Sequence, residues 1–140
     1  MSERYLRSIR LLAECMQQFE KLSDSHIRQF ELTHAQFDII ATLGNTEGLT
    51  CKQLGEKTLI TKGTMTGVLD RLEIKQLIQR VQCNEDRRRS FVRLTPQGEK
   101  LFNSAFPHVI GMMKHRFADY DTNDFITLEQ QLTKLKNSLG

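Results

Sequence analysis

Apolar residues near the start of the chain recur at three- and four-residue steps: Leu6, Ile9, Leu12 with Ala13, Met16, Phe19 and Leu22. That period predicts one long amphipathic helix from Glu3 to about Ile27, ending near Phe30. In LTHAQFDIIATLGN, Thr33 and Gln36 have the spacing of a capping box, in which hydroxyl and carboxamide satisfy each other's orphan backbone donors. Phe37, Ile40 and Leu43 then face a core, and Gly44-Asn45 stops the helix. The punctuation recurs in LTCKQLGEKT, where Thr50 caps, Gln53 closes the box and Leu54 is buried. Thr61 caps a third short helix, KGTMTGVLDRLEIK, whose Met65, Val68, Leu69 and Leu72 form one apolar stripe.

After Lys75-Gln76 the period shortens from helical to strand-like. LIQRVQ (77–82) and SFVRLT (90–95) alternate apolar and polar residues around a charged loop, as a two-stranded ribbon requires. Three short helices followed by that ribbon predict a winged helix-turn-helix, mainly α with a small β-wing. The arginines of NEDRRRSFVRLT then crown the wing, where charge also protects a ribbon edge from pairing with other chains. Thr95-Pro96 starts a further helix that carries Leu101, Phe102, Ala105, Val109, Met112, Met113 and Phe117 to about Ala118, with Pro107 inside it. A last helix from about Asn123 to Ser138 spaces Leu128, Leu132, Leu135 and Leu139 as a seam for packing on another helix. The chain therefore reads as one domain, with a winged-helix lobe over about 32–98 and long flanking helices, 1–31 and 99–140.

Length and composition agree: 140 residues, 39% hydrophobic and 26% charged, suit a single globular domain with a core of its own. The start of the chain mixes charge at helical spacing and has no leader pattern, so a cytoplasmic protein without a membrane segment is expected. Cys15, Cys51 and Cys83 are odd in number and far apart, which fits a reducing compartment. The common metal, phosphate and dinucleotide motifs are absent; no enzyme activity and no cofactor are expected. The net charge of +3 is unevenly distributed: residues 49–95 hold ten Lys/Arg against five Asp/Glu, and the flanks ten against twelve. A basic centre between acidic flanks points to a polyanion.

The second helix of a helix-turn-helix enters the major groove of double-stranded DNA, with phosphates gripped around it. Thr61, Lys62, Thr64, Thr66 and Arg71 occupy that helix, and Lys52 and Gln53 the one before it. Thr hydroxyls and a Lys ammonium suit phosphate oxygens and guanine acceptors, although capping alone is a sufficient role for Thr61. At the wing tip, Arg87 and Arg88 suit a narrow minor groove or its phosphates, with Asp86 able to orient a guanidinium.

LTHAQFDIIATL, LTCKQLGEKTLITKGTMTGVLDRLEIKQLIQR and NEDRRRSFVRLTPQG together resemble the MarR family of bacterial winged-helix transcription regulators over about residues 32–98. The most specific element is a D-x-R wing followed by L-T-x-x-G, matched by Asp86, Arg88, Leu94, Thr95 and Gly98. Thr64, Thr66, Asp70, Arg71, Leu72 and Glu73 match the recognition-helix pattern. The resemblance implies an obligate homodimer with intertwined terminal helices, pseudo-palindromic operators, repression relieved by a ligand or oxidant, Arg88 in the minor groove and Asp86 supporting the wing. Gln76 departs from the Gly common after the recognition helix, so a left-handed cap there needs a non-Gly residue or a replacement. Gly67 stands where larger, often polar residues are frequent. Independently, the apolar surface of the terminal helices exceeds what a small winged core can cover, and a second copy is the simplest cover.

Three inputs compete for the releasing signal. A small aromatic or phenolic ligand would suit an apolar pocket lined by Met16, Phe30, Phe37, Ile40 and Phe106, residues that equally suit an ordinary core. Oxidation would act through a thiolate such as Cys15, unless that residue is buried and inert. Metal would need His108 and His115, seven apart, with Asp119 four beyond; such histidines are more often polar surface, and no metal site is expected. Two other roles stand beside a ligand-released repressor: a thiol-oxidation-responsive regulator of the same fold, and a winged-helix protein-interaction module that binds no DNA.

Overall fold

The computed structural model describes residues 3–82 and 90–140. The elements run α1 (Arg4–Arg28), α2 (His34–Leu43), β1 (Leu49–Thr50), α3 (Cys51–Thr58), α4 (Lys62–Ile74), β2 (Ile78–Gln82), β3 (Ser90–Leu94), α5 (Pro96–Arg116) and α6 (Thr122–Leu139). Two compact units result, Met1–Val109 and Ile110–Gly140.

In the first unit both expected capping boxes form. Thr33 Oγ1 accepts the Gln36 N–H at 3.2 Å while Gln36 Oε1 accepts the Thr33 N–H at 3.1 Å. Thr50 and Gln53 do the same at 3.1 and 2.9 Å. Thr61 departs from expectation: it occupies the N-cap position of α4, but its hydroxyl meets the Thr64 hydroxyl at 3.1 Å and caps no backbone N–H.

The ribbon has a third member that the sequence did not announce. β1 is two residues long and pairs antiparallel with β3, Leu49 with Val92 and Thr50 with Phe91, giving the order β1-β3-β2. A two-residue strand carries no alternation to read. Ile78 and Val92 turn inward and join Ile39, Ile40, Leu43, Leu54, Leu69 and Leu72 in the core. Ile27 extends that core to α1, whereas Leu6, Ile9, Leu12 and Met16 on the same helix are exposed.

The helix ends show how the sequence's stop signals work. Gly44 ends α2 at φ −58°, an ordinary value, and the left-handed residue is Asn45 at φ 60°. Gly44 is needed for another reason: a Cβ there would overlap the ring of Phe102. At the end of α4, Gln76 takes the left-handed conformation at φ 62°. Its N–H reaches the Glu73 carbonyl at 2.9 Å and the Leu77 N–H reaches that of Leu72 at 3.0 Å, a complete Schellman motif without glycine. A non-glycine residue there costs about 1 kcal/mol. Gln76→Gly is therefore expected to raise unfolding stability by up to about 1 kcal/mol, a shift of midpoint readable in urea denaturation.

Thr95 joins three elements. Its hydroxyl donates to the Gln76 carbonyl at 2.7 Å and accepts the Gly98 N–H at 3.0 Å, and its own N–H donates to the Leu77 carbonyl at 3.1 Å. The end of α4, the end of β3 and the first turn of α5 thus meet at one side chain. Lys75 adds a second tie, donating to the Glu31 carbonyl at 2.6 Å and to Gln36 Oε1 at 3.0 Å.

The second unit holds the end of α5 and all of α6. Phe117, Tyr120 and Phe125 cluster with ring centroids 5.2 to 5.5 Å apart. Asp121 caps α6 through a box with Asp124, at 2.8 and 3.0 Å. No residue of α6 is buried, and Ile126, Leu128, Leu132, Leu135 and Leu139 are all exposed.

Candidate nucleic-acid interface

α4 divides cleanly into two faces. Met65, Val68, Leu69 and Leu72 are buried, and Lys62, Thr64, Thr66 and Arg71 project to solvent. The outward face also carries Gly63 and Gly67, four apart, and neither has an atom within 4 Å of where a Cβ would stand. Another backbone can approach closely along that track. Lys52 and Gln53 are exposed in the first turn of α3. Because Gln53 Oε1 is engaged by the Thr50 N–H, its amide NH₂ is the group left to donate outward.

α4 is pinned to the ribbon by a residue that sequence reasoning did not single out. Arg80 on β2 donates to Asp70 Oδ1 at 2.7 Å and lies 3.7 Å from Glu73 Oε2. Asp70 and Glu73 are three apart on α4, the spacing that places two side chains on one helix face, and that was the available signal. Next to this pin, a cleft of about 700 Å³ has an apolar floor of Ile60, Met65 and Leu69 and a rim that includes Lys52, Lys62 and Arg80. On the ribbon, Arg93 and Gln79 face each other in register and bond at 3.2 and 3.3 Å. Asp86, Arg87 and Arg88 lie outside the described residues.

The expected pocket residues are dispersed in role. Phe37 and Ile40 are core residues, and Met16 is 53% exposed. Phe30 and Phe106 are half-buried; Phe106 stacks on Phe102 at 5.0 Å, and Phe30 meets the His108 ring edge-on at 5.8 Å. Cys15 is exposed as a free thiol, as is Cys51, against the expectation of a buried, inert Cys15.

One trio resembles hydrolase machinery. Ser23 Oγ lies 3.3 Å from His34 Nε2, and His34 Nδ1 lies 3.7 Å from Asp38 Oδ2. The second separation exceeds a hydrogen bond, and the Ser23 hydroxyl donates to the Phe19 carbonyl at 2.6 Å from a site only 5% exposed. Burial raises the Asp38 carboxyl above its usual range, and His34 offsets part of that rise. With its serine hydroxyl committed to a backbone carbonyl and its histidine not hydrogen-bonded to the carboxylate, the trio is packing between α1 and α2.

Fold and exposed face together define a winged helix-turn-helix DNA-binding protein. The MarR family model matches residues 32–90. The chain is 30% identical over 107 residues to the HTH-type transcriptional regulator MhqR of Bacillus subtilis, covering 76% of this chain and 74% of that protein. Among solved structures, the S. aureus MepR–DNA complex matches with a TM-score of 0.77 at 26% identity, covering 91% of this chain and 95% of that one. NadR in complex with 4-hydroxyphenylacetate matches with a TM-score of 0.70 at 27% identity, over 93% and 89% of the two chains. The chain belongs to the MarR family, and it is a DNA-binding transcription regulator and not an enzyme. Among the described residues no helix is long and apolar enough to cross a membrane.

Proposed function

We propose that the chain works as a homodimeric repressor on a pseudo-palindromic operator and is released by a small aromatic or phenolic ligand. The observation that carries the reading is the two-faced α4, with Lys62, Thr64, Thr66 and Arg71 outward over a fully apolar underside. The uncovered apolar faces of α1 and, separately, of α6 support a second copy as their cover, since faces of that kind seldom stay exposed in a monomer. Twofold symmetry then presents two recognition helices to half-sites about one helical turn apart. For the ligand, the support is the complex of NadR with an aromatic acid.

The test combines mass and DNA binding. Light scattering should give twice the 16.3 kDa of the chain. The protein should prefer its own promoter DNA to random duplex at moderate salt; equal affinity for both would overturn the operator reading. Arg88→Ala should weaken operator binding by roughly tenfold, the loss of one good groove contact, with the dimer intact. Unchanged affinity in that variant would remove the wing from recognition.

A further inference from the structure

The sequence pairs His108 with His115 by spacing, but the fold pairs it with His26, 82 positions away in the chain. His26 Nδ1 lies 3.0 Å from His108 Nε2, and the Gln29 side-chain amide lies 3.0 Å from the same Nε2. His26 lies in the last turn of α1 and Gln29 is the C-cap of that helix, while His108 comes from α5, next to the last residue of the first unit. Two side chains at the end of α1 thus meet one ring nitrogen of α5.

An imidazole nitrogen carries either one proton or one in-plane lone pair, so it serves one partner well. If the Gln29 NH₂ faces His108 Nε2, that nitrogen must accept from Gln29 and from His26 at once. Turning the carboxamide to present Oε1 makes Nε2 a donor with two acceptors. In either arrangement one contact is shared. A divalent cation lying between the three groups removes the conflict, because it takes a lone pair from each of them.

We infer that His26 Nδ1, His108 Nε2 and the Gln29 carboxamide oxygen form a binding site for a divalent transition-metal ion of the zinc class. Two nitrogens 3.0 Å apart, each at the usual zinc–imidazole distance, subtend about 95° at the ion, within reach of five- or six-coordinate geometry. Two imidazoles and a neutral oxygen favour zinc, nickel, cobalt or copper over magnesium or calcium, which prefer carboxylates. Gln29 and His108 are solvent-exposed, so water can complete the shell. Among the described residues no three His, Cys, Asp or Glu side chains gather as a metal cluster; this site takes its third donor from an amide. An ion bound there would bridge α1 to α5.

Cobalt(II) titrated into the full chain with its thiols reduced tests this. The expected result is saturable binding of one ion per chain, with visible ligand-field absorption of nitrogen and oxygen donors and a rise in melting temperature. His26→Gln and His108→Gln should each weaken binding by more than about tenfold, and Gln29→Ala by less, while His115→Ala leaves it unchanged. Circular dichroism of the metal-free variants confirms that each is folded. Absence of saturable binding, binding undiminished in both glutamine variants, or a spectrum dominated by thiolate-to-cobalt charge transfer overturns the site.

Discussion

Gly98→Ala is expected to lower unfolding stability by about 3 kcal/mol, near the top of the range for overpacking. A Cβ at Gly98 would overlap the Leu77 carbonyl oxygen, which is backbone and already accepts the Thr95 N–H. Backbone in a Schellman motif cannot step aside as a flexible side chain can. Relief would require moving α5 off the end of α4, breaking the bonds from Thr95 to Gln76 and from Gly98 to Thr95. Urea denaturation measures the loss directly, and Gly67→Ala is the matched comparison: its Cβ meets open space on α4, so it should gain up to about 1 kcal/mol of helix propensity. Equal effects at the two glycines would contradict this description of the junction.

The largest effect on DNA is expected from Lys62→Glu, a loss of about two orders of magnitude in operator affinity at ~0.1 M salt with no fall in melting temperature, since an acid suits the first turn of a helix. Lys62 occupies the first turn of α4, fully on the solvent side, where the phosphates beside an inserted helix N-terminus would lie. Reversal removes one charge-assisted contact and adds a repulsion. It should also reduce the dependence of log affinity on log salt by about one. The informative contrast is Lys75→Ala: Lys75 is basic too, but its ammonium is bonded to Glu31 and Gln36, so that variant should lose stability and keep its salt dependence. If Lys62→Glu bound operator as the parent does, the start of α4 would not be the reading edge.

Local chemistry was legible where a short segment determines its own structure. Thr33 with Gln36 and Thr50 with Gln53 lie three residues apart and form their boxes in place. The alternation of 77–82 and 90–95 likewise gave the two long strands. Roles set by distant partners leave no such local mark. Gly44 is required by Phe102, 58 positions on, and not by a left-handed turn. Thr61 has the right identity and position for a cap, yet Thr64 takes its hydroxyl. The candidate site followed the same rule: the outward residues of α4 came from its period, whereas the Arg80 pin and the His26–His108 pair depend on tertiary approach. The departure from the family pattern after α4 leaves open whether a left-handed cap survives there, and Gln76 itself adopts it.

The Arg80 pin has a consequence for how such a molecule would measure its target. With Asp70 and Glu73 held from β2, the recognition helix and the ribbon form one calliper whose opening is set by the chain itself. If the chain binds operator half-sites as proposed, the offset between the groove entered by the helix and the one reached by the ribbon would then be a fixed gauge. In the proposed symmetric pair the adjustable dimension would be the distance between the two callipers, and a releasing signal would act by changing their separation while leaving each one's opening as it is.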